Sequence, residues 1–151
     1  MNSMTFQEYL ELIRGSPKVF QTAHQRAYNT IMKKGFRVIT GAENERLTRV
    51  LGLGPADKVT LYNAFSDFYG LEREIEQIVG YLRAASFGSQ ASRQALFLVG
   101  PPSSGKSDIA RKIYWAMDGA EVYCLEGCPI REEPLNALPR NKRAEWEDIL
   151  K

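Results

Sequence analysis

Apolar residues along the first part of the chain recur at helical spacing. Phe6, Tyr9, Leu10 and Ile13 fall at i, i+3, i+4 and i+7, which predicts a helix over 5–14 with one apolar stripe. Thr5 stands before it with Glu8 three residues on, the pattern of a capping box, and Gly15 stops it. Ser16-Pro17 is a second start signal, a cap followed by proline at the first helical position. From there Phe20, Ala23, Ala27 and Ile31 line one face up to Gly35, a suitable C-terminal stop. A small helical pair therefore opens the chain, with His24 beside its apolar face as a boundary residue. Between 36 and 63 the pattern weakens. Residues 36–40 read as a short strand, 44–51 as a helical turn or two, Gly52-Leu53-Gly54-Pro55 as a break and 59–62 as a short apolar run; the whole stretch reads as a connector.

A longer repeat follows. Leu71, Ile75, Ile78, Val79 and Leu82 predict a helix over 71–85, entered through Phe68-Tyr69-Gly70. A polar loop over 86–92 leads to an uninterrupted apolar run, Ala95-Leu96-Phe97-Leu98-Val99, which predicts a buried strand of the parallel type. Next comes a Gly/Pro/Ser turn, then a helix over 105–117 whose buried face is Ile109, Ile113, Ala116 and Met117, ended by Asp118-Gly119. Residues 121–125 read as a second buried strand and 127–135 as a turn-rich segment. A charged helix over 141–151 carries Trp146 and Ile149.

The turn between that strand and helix carries the chemistry. Gly100-Pro101-Pro102-Ser103-Ser104-Gly105-Lys106-Ser107 is G-x-x-x-x-G-K-[ST], the Walker A pattern, in its required setting of strand, loop and helix. Gly100 and Gly105 let the backbone turn tightly and approach a phosphate closely. Successive N–H groups of the loop, and of the helix start, can point inward as an anion cradle. Lys106 brings positive charge to the outer phosphates, and the Ser107 hydroxyl is a hard oxygen donor suited to Mg²⁺. A surface loop with a stray lysine would not need an apolar strand before it and an amphipathic helix after it.

Composition narrows the remaining classes. The chain has 151 residues, 44% of them hydrophobic and 25% charged, which suits one globular domain with a real core. A net charge of +2 is too small to argue for nucleic acid as a partner. The longest apolar run is far shorter than a membrane span, and the N-terminus has no basic region followed by an apolar one, so no membrane is implied and a cytoplasmic protein is expected. Cys124 and Cys128 make no disulfide framework, and as zinc ligands they would be two where zinc wants four. Lys33-Lys34 and the basic residues over 140–143 read as solvated faces, and Trp115 as a packing residue. Glu132-Glu133 could form an acid/base pair, but a solvated loop is the simpler reading.

The segment Phe68-Tyr69-Gly70, about thirty residues before the phosphate loop, resembles the entry box of AAA+ ATPases, which lies against the adenine. FSDFYGLEREIEQIVGYL, EGCPIREEPLNALPRNKR and the opening TFQEYLELI resemble the N-terminal part of the PrkA family of bacterial serine protein kinases. Arg131 departs from that family's Gly-Cys-Pro-x-His-Glu-Glu-Pro-Leu box, where histidine is usual. The resemblance implies an α/β fold of the P-loop NTPase type, with an AAA-type parallel sheet left incomplete in this chain and a small helical region before it. It places the helical region and connector over 1–63 and the first part of the ATP-binding domain over 64–151. It implies ATP and Mg²⁺ as cofactors, with Tyr69 and Gly70 at the base, residues 100–107 at the phosphates and Ser107 at the metal. A protein substrate of unknown identity is implied too, and a homo-oligomer of the full-length protein is one open outcome.

Hydrolysis in such enzymes also needs an acidic residue at the end of a buried strand. Neither Glu132-Glu133 nor Glu147-Asp148 follows an apolar strand, and no His-Arg-Asp kinase loop is present. The 151 residues alone are therefore expected to lack ATPase and kinase activity, and catalytic residues stay unassigned. Two other readings of the loop remain open: an AAA+ mechanical ATPase, for remodelling or linked to proteolysis, and a binding-only nucleotide switch.

Overall fold

The computed structural model describes residues 3–16, 19–118 and 122–150. Its elements run α1 (Phe6–Gly15), α2 (Ala23–Lys33), β1 (Phe36–Thr40), α3 (Glu45–Leu51), β2 (Lys58–Tyr62), α4 (Glu72–Ser86), α5 (Lys106–Ala116) and α6 (Arg140–Leu150), with short 3₁₀ turns between some of them. They fall into two compact units. One is Thr22–Gly119; the other joins the two ends of the chain, Met1–Gln21 and Ala120–Lys151. No helix among the described residues is long and apolar enough to cross a membrane.

In the unit Thr22–Gly119, α2 begins where a second capping box sets it. The Thr22 N–H donates to Gln25 Oε1 at 2.8 Å, and the Gln25 N–H donates back to Thr22 Oγ1 at 3.2 Å. The start expected at Ser16-Pro17 is not used: the described helix begins at Ala23, and Pro17 lies outside the described residues. Reciprocal bonds satisfy two orphan N–H groups at Thr22, whereas a Ser-Pro start offers one cap. Gly35 ends the segment at φ +82°, and Ile31 and Ala27 are buried as the spacing required. The stretch read as a connector holds the only sheet among the described residues, β1 and β2, paired antiparallel with Phe36 opposite Tyr62 and Thr40 opposite Lys58. One patch, Ile39, Leu47, Leu53 and Val59, packs α3 against this ribbon. The main core gathers Ala27 and Ile31 of α2, Ala64 and Phe65 of the 3₁₀ turn after β2, Ile75, Ile78, Val79 and Leu82 of α4, and Ile109 of α5.

The parallel sheet expected around 95–99 is not formed among the described residues. The run has no regular secondary structure; Phe97 is 81% and Val99 92% exposed. Strand backbone needs a neighbour to take its N–H and C=O groups, and no strand lies beside this run. The second expected strand also fails: residues 122–125 have no strand conformation, Val122 and Cys124 are exposed, and Glu121 lies outside the described residues.

In the other unit, α1 carries the expected capping box: the Thr5 N–H donates to Glu8 Oε2 at 2.7 Å. That bond and the Thr5 hydroxyl hold the Glu8 carboxyl below its usual pKa. Tyr9 and Ile13 of α1 are buried with Leu135, Leu138 and Trp146, while Phe20 and Tyr123 pack at the margin. Arg14 lies over the Trp146 ring, 4.8 Å from its centroid. The Tyr9 hydroxyl donates to Glu133 Oε1, and its ring stands 5.3 Å from that of Tyr123. Glu133 is therefore not the solvated loop residue expected of it. Arg131 is exposed in the left-handed region at φ +50°, its N–H donating to the Cys128 carbonyl at 3.0 Å.

Burial, and then the bond to Glu133, pushes the Tyr9 phenol well above its ordinary pKa of 10.0. A raised folded pKa means that the contribution is complete below about pH 10 and is lost as pH climbs above it, where the unfolded chain gives up a proton that the folded chain keeps. Denaturant unfolding followed by Trp146 fluorescence in a Trp115→Phe background should show stability falling above about pH 10. Tyr9→Phe should cost about 1 kcal/mol at neutral pH and flatten the alkaline limb. An equally steep limb in Tyr9→Phe would show that this phenol does not control it.

Candidate functional site

Residues 100–107, expected from sequence to form the phosphate loop, make a turn that leads directly into α5. Helix α5 starts at Lys106, with Gly105 as its cap at φ +78°. A left-handed cap is cheap only for glycine. Gly105 has a second reason to lack a side chain: a Cβ there would lie 3.2 Å from Leu71 Cδ1 and 3.9 Å from Phe68 Cε1. The aromatic-Gly segment that enters α4 thus packs directly on the last turn of the loop. Gly70 takes φ +79° to make that entry, and the Tyr69 ring beside it is 82% exposed. Pro101, Pro102 and Ser103 are exposed, and Ser103 holds φ +60°, a conformation that residues with a Cβ seldom take.

Inside the loop the Lys106 ammonium is turned back on its own chain. It donates to the Gly100 carbonyl at 2.9 Å, to the Pro101 carbonyl and to Ser104 Oγ at 2.9 Å. Ser107 follows as the second residue of α5 and is exposed. The first turn of the helix also carries Asp108, paired at 3.3 Å with Arg111. A cage of acidic ligands is absent among the described residues: no group of three His, Cys, Asp or Glu side chains there could hold a metal ion. Any metal here would take oxygen from Ser107, from a bound phosphate and from water, which is how Mg²⁺ is commonly held.

Two features of this site were not legible from the motif. Lys112, in the second turn of α5, donates to Asp67 Oδ2 at 2.7 Å and holds the Asp67 carboxyl below its usual range. That pair ties the segment before Tyr69 to the helix after the loop, a contact between residues 45 apart that no local pattern announces. Glu72, first residue of α4, is only 7% exposed, and its Oε2 has no hydrogen-bond partner among the described residues. Its spacing to Ile75 and Val79 puts it on the buried stripe, a signal that was present in the sequence. By contrast, Trp115 is not the packing residue expected. It is 59% exposed, with Arg111 over its ring at 5.8 Å.

Gly105→Ala tests the packing directly. It combines a left-handed φ with a methyl placed against Leu71, and should destabilise the unit by about 1–3 kcal/mol in denaturant unfolding. Gly88→Ala, also at positive φ but with nothing within 4 Å of its Cβ, should show only the backbone part of that loss. Equal losses at the two positions would argue that the contact with Leu71 carries no weight.

Comparison with known proteins bears on the same residues. The family model of the PrkA AAA domain matches residues 4–151. The ATP-dependent protease PrkA of Bacillus subtilis is 31% identical over 150 residues, covering 94% of this chain and 21% of the relative. The serine/threonine kinase YeaG of Escherichia coli K12 is 32% identical over 134 residues, covering 86% of this chain and 20% of the relative. The chain thus spans about a fifth of the length of either relative. No solved structure matches it. Because the family model runs through the phosphate loop, the aromatic-Gly entry to α4 and the Glu133 segment alike, the chain belongs to the PrkA AAA domain family.

Proposed function

We propose that the chain is the ATP-binding module of a PrkA-like serine protein kinase. ATP seats its phosphates on Gly100, Pro101, Pro102, Ser103, Ser104, Gly105 and Lys106, and its adenine against Tyr69 and Gly70. Residues 64–151 supply the first part of the AAA-type domain, and residues 1–63 the helical region and connector before it. The observation that supports this reading is the packing of Phe68 and Leu71 on Gly105, which brings the segment that contains the exposed Tyr69 to the end of the loop where α5 starts. An adenine on Tyr69 and phosphates at the α5 N-terminus then belong to one ligand. The Lys106 ammonium supplies charge, and the N–H groups at the start of α5 supply oriented donors. Mg²⁺, when bound, neutralises phosphate charge; Ser107 would contribute its hydroxyl, with phosphate and water completing the shell. The protein is read as cytoplasmic, with a protein as phosphoryl acceptor.

A second reading rests on the name of the Bacillus relative, an ATP-dependent protease, which fits a module whose ATP drives work on a polypeptide. Both readings need the same nucleotide site. With the full-length protein, transfer of labelled phosphate to a protein substrate supports the kinase, and ATP-dependent peptide release supports the protease.

The site itself is tested by Lys106→Ala. Loss of a charge-assisted contact to phosphate should weaken ATP binding by about 2–4 kcal/mol, more than tenfold in Kd by calorimetry. Unchanged affinity would place the nucleotide elsewhere.

A further inference from the structure

A lysine ammonium has three N–H donors. In Lys106 all three are engaged inside the loop, on the Gly100 carbonyl, the Pro101 carbonyl and Ser104 Oγ. The space is tight: a Cβ on Gly100 would stand 3.3 Å from Ser104 Oγ and 3.9 Å from Lys106 Nζ. A phosphate oxygen can therefore gain an N–H of Lys106 only if one of these acceptors releases it. The three are not equivalent. The two carbonyls belong to the backbone and are fixed by the course of the loop. The Ser104 oxygen sits on a side chain with one rotatable bond and can swing away by changing rotamer. It is also a neutral hydroxyl, a poorer acceptor for an ammonium than a phosphate oxygen.

We propose that the Ser104 hydroxyl is a positioning group that holds the third N–H of Lys106 in the free protein and releases it to an incoming phosphate, without itself binding the nucleotide, so that Ser104 meets the phosphates through its backbone N–H alone. The two carbonyls keep Lys106 aimed throughout. The proposal rests on the reading of this loop as the phosphate site. Its consequence runs against the usual expectation for a serine in a phosphate loop. The Ser104–Lys106 bond exists only in the free state, so it competes with the ligand, and removing it favours the bound state.

The experiment compares Ser104→Ala, Ser104→Thr and the unchanged protein. ATP affinity by calorimetry should rise about three- to tenfold in Ser104→Ala, the equivalent of one net hydrogen bond lost from the free state. Ser104→Thr, which keeps the hydroxyl, should restore the original affinity. A second readout needs no nucleotide. Exchange of the Lys106 ammonium protons with water, followed by ¹⁵N NMR, should quicken severalfold in Ser104→Ala and return to the original rate in Ser104→Thr. Weaker ATP binding by Ser104→Ala would make the Ser104 hydroxyl a phosphate ligand and overturn the proposal, as would unchanged affinity. Unchanged ammonium exchange would overturn it whatever the nucleotide does. If instead Lys106→Ala leaves ATP affinity intact, the reading of the site falls and the release to phosphate falls with it, even where exchange confirms the Ser104 contact.

Discussion

Leu71 comes so close to Gly105 that a single methyl group would not fit between them without movement. Much of the unit Thr22–Gly119 depends on that approach. It joins the entry of α4 to the start of α5, and so joins the segment holding Tyr69 to the loop holding Lys106. The Asp67–Lys112 pair spans the same junction on the outside, at 2.7 Å, while Ile75 and Ile109 continue it into the core. The exposed ion pair contributes little by itself, since solvent screens it. The apolar contacts beneath it and the missing Cβ decide the geometry. A left-handed glycine cap, required for the turn into α5, also clears the space that the neighbouring helix entry needs.

The local features were readable from sequence because local physics sets them. The Thr5–Glu8 box, the stop at Gly35, the buried stripe of α4 and the start of α5 all appear where residue chemistry put them. The failures share one cause. An apolar run such as 95–99 becomes a strand only when another strand lies beside it, and periodicity along one segment says nothing about its neighbour. Phe97 and Val99 therefore stay exposed, while the weaker patterns at 36–40 and 58–62 form a ribbon because each finds the other. The start of α2 was misplaced for another reason: Thr22 and Gln25 compete with Ser16-Pro17, and reciprocal capping prevails.

Within the unit formed by the chain ends, the Glu133 segment has a structural explanation. Glu133 accepts from the buried Tyr9, and Leu135 and Leu138 pack with Ile13 and Trp146. The Glu132 carbonyl accepts from the Leu125 N–H at 3.0 Å, which closes the turn-rich segment on itself. Arg143 adds a clamp from α6, donating to the carbonyls of Leu138 and Asn136 at 3.0 and 3.1 Å. A pair of adjacent glutamates that suggests acid/base chemistry in one dimension thus supplies, through Glu133, a tether to α1. The sequence held half of this signal, since Tyr9 was visible on the apolar stripe of α1; its partner 124 residues away was not.

The proposed site requires one nucleotide to span the Tyr69 ring and the loop from Gly100 to Ser107. Backbone amide NMR during a titration with ATP tests it most directly. The largest shift changes should fall on 100–107 and on 69–70 together, and inorganic triphosphate should reproduce only the first group. Changes confined to the other unit, or a response at 100–107 that ATP and triphosphate share in full with 69–70 silent, would contradict it.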